Sequence, residues 1–297
     1  MSDTPQRSYP LFSEQDSAEI VNARIGPDVA PRTAQMAAAI VRHLHAAVKE
    51  IEPTHEEWYA AIRFLTETGQ MCSDWRQEFI LLSDVLGVSM LVDAINHRRP
   101  GNATENTILG PFFVEGLPVL PAGSNLCLDG KGEPLVVTGS VSDTEGRPVA
   151  GATIDVWQTN DDGYYDVQQK GLQPEGNLRG KFESDAKGGF WFRSVRPRDY
   201  PIPDDGPVGK LLATLGRHPN RAAHIHFMIQ APGFETVITH IFSPDCPYLA
   251  EDTVFGVKQS LVGEFERVDD AGAAAAYGFS GPFWKTDRPF VLKREEG

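Results

Sequence analysis

The sequence has little cysteine, a deficit of basic charge and no long apolar run. Its three cysteines, Cys72, Cys127 and Cys246, form no CxxC pair, so we expect reduced thiols rather than a disulfide framework or a zinc knuckle. Lysine and arginine total 27 against 41 for aspartate and glutamate, which argues against nucleic acid and anionic membranes as partners. No stretch approaches the roughly 20 apolar residues of a membrane span, and the start "MSDTPQRSYP" lacks the pattern of a signal peptide. These absences predict a cytoplasmic globular protein with no membrane insertion.

The first third of the chain has the apolar spacing of helices. Apolar residues recur every three or four positions over 33–97, which predicts amphipathic helices. The first apolar stripe consists of Met36, Ile40, Leu44, Val48 and Ile51. Thr54 followed by Glu57 is the pattern of a capping box at the start of a second helix, and Gly69 is a candidate for its end. We predict one further continuous helix over "SDWRQEFILLSDVLGVSMLVDAINH", which again opens on a capping residue.

The remaining two thirds of the chain have the pattern of β-strands. From "TILGPFF" onward, β-rich runs such as "GATIDVWQT" and "GFWFRSV" alternate with Gly, Pro, Asp and Asn, which is typical of a β-sandwich. The segment "DTVFGVKQSLVGEFERV" fits either a helix or strands, and this choice stays open. We predict a mainly β fold, with a helical domain and linker at 1–105 and a β-sandwich domain at 106–297.

Two histidines stand one residue apart in "HIHFMIQ". On a strand alternate side chains share a face, so His224 and His226 lie together, about 6 to 7 Å apart at their Cα atoms, while their apolar neighbours face the core. This spacing suits either a shared metal ion or a buried histidine pair that only packs. His43 and His45 have the same spacing in a predicted helix, where they point about 200° apart and cannot chelate one ion.

A metal at the strand pair would need further ligands. A cupin-like site carries a glutamate four or five residues after the second histidine, whereas Gln230 and Ala231 stand there. The ferrous facial triad carries an acidic residue two positions after its first histidine, a position that His226 takes here. Any anionic ligands must therefore come from elsewhere in the chain.

Three segments carry a resemblance to a known family: "DVWQTNDDGYYD", "RGKFESDAKGGFWFRSVRPRDYPIP" and "HPNRAAHIHFMIQAPGF". In this order they resemble the intradiol ring-cleaving dioxygenases, the non-haem ferric enzymes of catechol breakdown. The resemblance runs from about residue 12 to 290, and "QEFILLSDVLGVSMLVDAINHR" and "YPIPDDGPVGK" are most similar to the hydroxyquinol-cleaving branch. It implies a β-sandwich catalytic domain with an N-terminal α-helical dimerisation domain.

The resemblance implies one non-haem Fe(III) per subunit, bound by Tyr165, Tyr200, His224 and His226. The missing anionic ligands are then tyrosinates, which stabilise ferric iron. Tyr164 competes with Tyr165 in "DGYYD", and the family pattern favours the second tyrosine of the pair.

The implied reaction is the cleavage of an aromatic diol or triol by O2 between its two hydroxylated carbons. Tyr200 would accept a substrate proton, and Arg221 would stabilise negative charge on the ring carbon. Strict alternation would turn Arg221 away from His224, so Arg221 should lie before the strand proper or past a bend. His240, where the catechol branch often has glutamine, is expected to be a proton or hydrogen-bond partner of the site.

Substrate choice is expected to depend on Leu81, Asp84 and Val85, together with Arg221 and the segment "GPFFVEG". The Asp84 carboxylate could accept a hydrogen bond from the third hydroxyl of hydroxyquinol (benzene-1,2,4-triol), or it could bind a nearby backbone amide instead. We therefore expect hydroxyquinol as the substrate and 3-hydroxy-cis,cis-muconate, the enol tautomer of maleylacetate, as the product. Catechol and chlorocatechols are the alternative substrates.

The resemblance also implies partners. The N-terminal helices form the dimer interface in this family, so a homodimer is expected, and relatives hold a phospholipid between those helices, which the sequence neither confirms nor excludes here. On the β-pattern alone, a transthyretin-like binding module is the rival interpretation. Such a module has no reason to carry the ordered set of two tyrosines and two histidines.

Overall fold

The computed structural model describes residues 10–74, 76–98 and 101–295. The chain divides between Glu67 and Thr68 into two compact units. The helices are α1 Ser17–Asn22, α2 Pro31–Ile51, α3 His55–Met71, α4 Glu78–Val85, α5 Val88–Asn96, α6 Pro207–Thr214 and α7 Ala271–Ala276. The strands are β1 Pro134–Asp143, β2 Thr153–Trp157, β3 Arg179–Glu183, β4 Gly189–Val195, β5 Tyr200–Pro201, β6 Asn220–Arg221, β7 His224–Gln230, β8 Val237–Phe242, β9 Glu266–Val268 and β10 Phe283–Leu292.

The first unit confirms the predicted helices and the capping box. α2 carries the apolar stripe, whose members range from 48% exposed at Met36 to 70% at Ile51. The Thr54 amide donates to Glu57 Oε2 at 2.8 Å, and the Glu57 amide donates to Thr54 Oγ1 at 3.2 Å. These reciprocal bonds satisfy two amide donors that a helix start leaves unpaired.

Three details of the predicted helices are wrong. Gly69 does not end α3, which continues to Met71; a Cβ at this position would stand 3.4 Å from the Phe79 ring, close to an ordinary contact. The predicted third helix is two helices, α4 and α5, because the backbone turns at Gly87 with a φ of 73°. Nor does α4 have a side-chain cap, since Gln77 precedes it without one.

The second unit is built on two packed sheets, which confirms the mainly β fold. One sheet has the strand order β4-β1-β10-β9 and the other β3-β2-β7-β8; β1 and β10 are parallel, and the remaining pairs in these sheets are antiparallel. Apolar side chains from both sheets form one core, which includes Val137, Val141, Ile154, Phe182, Phe192, Ile225, Phe227, Ile229 and Phe290. The functional division predicted after residue 105 stays a prediction.

The strand β7 has the alternation that the sequence predicts. Ile225, Phe227 and Ile229 belong to the core, so His224 and His226 lie on the opposite face of the sheet. The segment left open between residues 252 and 268 contains a short 3-10 helix, Gln259–Leu261, followed by β9. Among the described residues, no helix combines the length and apolarity that a membrane span requires, and the three cysteines are free thiols.

Candidate metal centre

Four buried side chains converge on the face of β7 that points away from the core. Tyr165 Oη lies 3.2 Å from Tyr200 Oη and 3.0 Å from His226 Nε2. His226 Nε2 lies 3.0 Å from His224 Nε2. Donor atoms about 2.1 Å from one transition-metal ion stand about 3.0 to 3.4 Å from one another. The two phenols and two imidazoles therefore have a spacing that fits one ion.

Tyr165, rather than Tyr164, faces this cluster. Tyr165 is 1% exposed, whereas Tyr164 is 46% exposed. The turn before them has Gly163 at a φ of 83°, and a Cβ on this residue would stand 3.2 Å from the Tyr200 Cβ. The glycine thus provides both the left-handed backbone and the close approach of this turn to Tyr200.

Hydrogen bonds fix the orientation of both strand histidines. His224 Nδ1 lies 2.5 Å from the Ala222 carbonyl, which can only accept, so Nδ1 carries the proton and Nε2 keeps its lone pair. His226 Nδ1 lies 2.7 Å from His240 Nε2, and His240 Nδ1 lies 2.8 Å from Thr107 Oγ1. Metal binding through His226 Nε2 requires its proton on Nδ1, so His226 donates to His240, and His240 in turn donates to Thr107.

His240 completes a cluster of three buried histidines whose ligand atoms lie within 4.8 Å of one another. Its Nε2 faces His226 Nδ1, and its Nδ1 faces a hydroxyl. Both ring nitrogens are thereby occupied by hydrogen bonds, and this geometry makes His240 a partner of His226 rather than a further ligand.

Burial controls the protonation of the cluster. It raises the pKa of the Tyr165 phenol well above the ordinary value, and the neighbouring Tyr200 adds to this increase. It lowers the pKa of His224 to about 3 and that of His226 well below the ordinary value. Both imidazoles are therefore neutral at pH 7, with lone pairs available to a metal. The Tyr165 phenol would ionise only beside a strong cation, which a bound metal ion supplies.

Arg221 brings a permanent positive charge to the same cluster. It lies in β6, before β7, opposite Tyr200 in the β5–β6 pair, as the alternation argument requires. Its Nη1 is 3.3 Å from His224 Nε2, and its Nε donates to Asp252 Oδ1 at 3.3 Å. Burial disfavours the charged guanidinium, but Asp252 and the two phenols outweigh it and hold the pKa of Arg221 above its ordinary value. Its Nη2 has no hydrogen-bond partner within the described part of the chain.

A buried ion pair anchors the segment that carries Tyr165. Arg179, at the start of β3, donates from Nε and Nη2 to Asp166 Oδ1 at 2.9 and 2.5 Å, and from Nη1 to the Phe112 carbonyl at 2.6 Å. The Phe112 ring stacks on Tyr165 at 4.4 Å between centroids. One guanidinium therefore joins the residue after Tyr165 to the "GPFF" segment that covers its ring.

The expected substrate residues lie on α4 within the same unit. Leu81 and Val85 pack in a small apolar cluster that also contains Ile202, Val208, Leu212 and Val254. Asp84 is half-buried; burial raises the pKa of its carboxyl, while a hydrogen bond from Ser89 and the charge of Arg221 oppose the increase. Asp84 is thus close enough to Arg221 for the two charges to interact.

Comparison with known proteins places this chain in a family. A family model described as "Dioxygenase" matches residues 108–280, and one described as "Catechol dioxygenase N terminus" matches residues 30–104. The chain belongs to the intradiol ring-cleavage dioxygenases. It is 60% identical to a hydroxyquinol 1,2-dioxygenase of Rhizobium sp. (strain MTP-10005), over 95% of this chain and 96% of that protein. It is 45% identical to a hydroxyquinol 1,2-dioxygenase of Nocardioides simplex, over 97% and 98% of the two chains.

A solved structure of hydroxyquinol 1,2-dioxygenase from Pseudomonas putida DLL-E4 is also similar to this intradiol dioxygenase. Its TM-score is 0.89 at 49% identity, covering 95% of this chain and 99% of that chain. Identity at this level over nearly the whole length extends to both the helical part and the sandwich. The family membership therefore sets aside the transthyretin-like interpretation.

Sequence reasoning missed several residues that hold the site together. Thr107, Arg179 and Asp252 each contact a predicted site residue or its neighbour, but none stands in a recognisable ligand pattern. Asp166 directly follows Tyr165 in "GYYD", but nothing in the sequence connects its carboxylate to the distant Arg179.

Proposed function

We propose that this intradiol dioxygenase opens the ring of hydroxyquinol with O2, between the two adjacent hydroxylated carbons. The product is 3-hydroxy-cis,cis-muconate, the enol tautomer of maleylacetate. The observation that carries this proposal is the convergence of two phenol oxygens and two imidazole nitrogens at 3.0 to 3.2 Å. Relatives that bear the name hydroxyquinol 1,2-dioxygenase at 60% and 45% identity support the choice of substrate.

One non-haem Fe(III) per subunit is the metal that this donor set suits. Tyr165, Tyr200, His224 and His226 would hold it, since phenolates are hard anions that favour ferric over ferrous iron. Bound there, ferric iron would withdraw electron density from the bound substrate and so make its ring reactive towards O2. The neutral imidazoles and the nearby cation of Arg221 suit the formation of two tyrosinates.

Tyr200 and Arg221 carry the catalytic roles. Tyr200 lies on the short strand β5, and its Oη accepts a proton from the substrate as the diol binds. Arg221 stands opposite Tyr200 with Nη2 unpaired, and its charge stabilises the carbanion character that develops on the ring carbon. His240 orients His226 through the bond at Nδ1, which fixes the tautomer that leaves Nε2 free.

Leu81, Asp84 and Val85 form the wall that distinguishes substrates. Leu81 and Val85 supply apolar contact to the ring, and Asp84 accepts a hydrogen bond from the third hydroxyl. A site built to bond a hydroxyl discriminates strongly against an analogue that lacks it, because the polar group is left unpaired. Catechol and chlorocatechols, which lack this hydroxyl, are accordingly the weaker substrates in this proposal.

The helical region 1–105 serves as a dimerisation domain in this proposal, and 106–297 as the catalytic domain. The exposed stripe on α2 is the apolar surface that a two-fold partner would cover. A phospholipid at these helices and a cytoplasmic location stay predictions.

The test is oxygen uptake by the iron-loaded protein with hydroxyquinol, catechol and a chlorocatechol as substrates. We expect the highest kcat/KM for hydroxyquinol, one O2 consumed per ring, and both atoms of labelled O2 in the dicarboxylate product. A higher kcat/KM for catechol or a chlorocatechol would favour those substrates instead. A product cleaved outside the two hydroxylated carbons would contradict intradiol chemistry altogether.

A further inference from the structure

Phe255 has an unusual backbone for a large residue. Its φ is 59°, in the left-handed region, and it shares this feature with only two other non-glycine residues of the described chain, Glu52 and Leu178. Bulky side chains disfavour this region, and residues held there cluster at functional sites. The Phe255 side chain is also 53% exposed, so burial in the core does not explain its placement.

The ring of Phe255 packs into the break between α4 and α5. Its Cδ2 lies 3.3 Å from where a Cβ of Gly87 would stand, and Gly87 has a φ of 73°, so a larger residue there would crowd the ring and strain the backbone. Arg217 also contacts this ring, with its Cζ 4.9 Å from the ring centroid. The ring therefore touches both the helix break and a guanidinium, and cation–π attraction favours the second contact.

Arg217 ties the same two segments together with hydrogen bonds. Its Nη1 donates to the Val85 carbonyl at 2.6 Å, and its Nη2 donates to the Thr253 carbonyl at 2.8 Å. Val85 ends α4 and directly follows Asp84, while Thr253 stands two residues before Phe255. The Phe255 ring and the Arg217 guanidinium thus connect α4, with its expected substrate wall, to the segment 252–256. We name this segment the Arg221 brace.

The Arg221 brace contacts both sides of the substrate site. Val254 is 1% exposed and packs in the apolar cluster with Val85. The Gly256 amide donates to Asp252 Oδ2 at 2.8 Å, and a Cβ on Gly256 would stand 2.9 Å from Arg221 Nη2. A shift of this segment relative to α4 would therefore change the separation between Asp84 on one wall and Arg221 on the other.

We propose that Phe255 and Arg217 are positioning residues for substrate selection. They hold the α4 wall at a fixed distance from the Arg221 brace, so that Asp84 and Arg221 can both contact a bound triol. This inference rests on the proposed function. Strain at Phe255 is the consequence of aiming its ring at Gly87. Loss of the ring leaves the iron-binding side chains in place and loosens the fit to the third hydroxyl.

The test compares substitutions at Phe255 with a matched strain-relief control. Phe255→Gly and Phe255→Ala remove the ring, Phe255→Tyr keeps it, and Glu52→Gly relieves a φ of 49° at the end of α2. We expect both ring deletions to lower the ratio of kcat/KM for hydroxyquinol over catechol about tenfold, mainly through a higher KM for hydroxyquinol. The ratio should stay within about twofold of the parent in Phe255→Tyr and Glu52→Gly. Arg217→Lys, which cannot donate to both carbonyls with one planar fork, should lower the ratio in the same direction.

Thermal stability and substrate preference should change independently in this series of variants. Phe255→Gly should melt above Phe255→Ala, because glycine accepts a positive φ without strain, yet both should lose discrimination. If the parent prefers hydroxyquinol and both ring deletions keep that preference, the positioning role is refuted while the proposed function stands. If the parent shows no preference for hydroxyquinol, the proposed function fails, and this inference fails with it.

Discussion

Replacing Arg179 by methionine should destabilise the unit that follows Glu67 and weaken its retention of added iron. The side chains of Arg179 and Asp166 are only 3% and 7% exposed, and the guanidinium makes three hydrogen bonds to Asp166 and the Phe112 carbonyl. Removing one partner of a buried ion pair typically costs about 3–5 kcal/mol, because the other charge stays buried alone. At about 2–4 °C per kcal/mol for domains of roughly this size, the melting midpoint should fall by about 6–20 °C.

Thermal unfolding followed by circular dichroism, together with iron retained per subunit after dialysis against a chelator, measures this prediction. Arg267→Met is the matched control, because Arg267 pairs with Asp269 at 3.1 Å while both side chains are exposed, at 56% and 70%. An exposed pair contributes little, so the control should melt near the parent and retain its iron. If Arg179→Met melts within about 2 °C of the parent and keeps its iron, the anchoring role of this ion pair is refuted.

Three further predictions follow from the site. His240→Leu should retain iron about 10–100-fold less tightly in a chelator competition, whereas His240→Gln, which can still accept from His226 Nδ1, should lose less; equal retention by both would contradict the tautomer argument. Asp84→Asn should stabilise the protein at pH 7, because burial raises the pKa of Asp84 and ionisation therefore opposes folding. That gain should shrink as the pH falls through the raised pKa and vanish below the unfolded value, which melts over a pH series would show; a constant gain would contradict it. Tyr165→Phe should abolish the visible colour of the iron-loaded protein or sharply weaken it, while Tyr164→Phe should leave it unchanged, and the reverse result would exchange the two tyrosines.

Local sequence patterns predicted much of the fold because they encode short-range physics. The capping box at Thr54 and the alternation along β7 each depend on neighbours within a few residues, and both match the structure. The break at Gly87 was not predicted, because a glycine inside an apolar helical pattern can either lie within a continuous helix or mark its end. The Phe255 ring packs against this glycine in the folded chain, and it is distant in sequence.

The sequence likewise predicted only part of the candidate site. The spacing of His224 and His226 could place two imidazoles together, but only the family resemblance joined them to Tyr165 and Tyr200. The contacts of Arg179 with Phe112 and of Thr107 with His240 join residues 67 and 133 positions apart. No local pattern encodes such pairs, so they emerge only from the folded chain.

The visible spectrum of the purified, iron-loaded protein would show whether two tyrosinates bind the metal. With one iron per subunit, a site of two tyrosinates should give a broad tyrosinate-to-iron charge-transfer band and a red-brown colour. Anaerobic addition of hydroxyquinol should shift the band to longer wavelength, and catechol should do so at higher concentration. Protein that contains stoichiometric iron and stays colourless would contradict the site of two tyrosinates and two histidines.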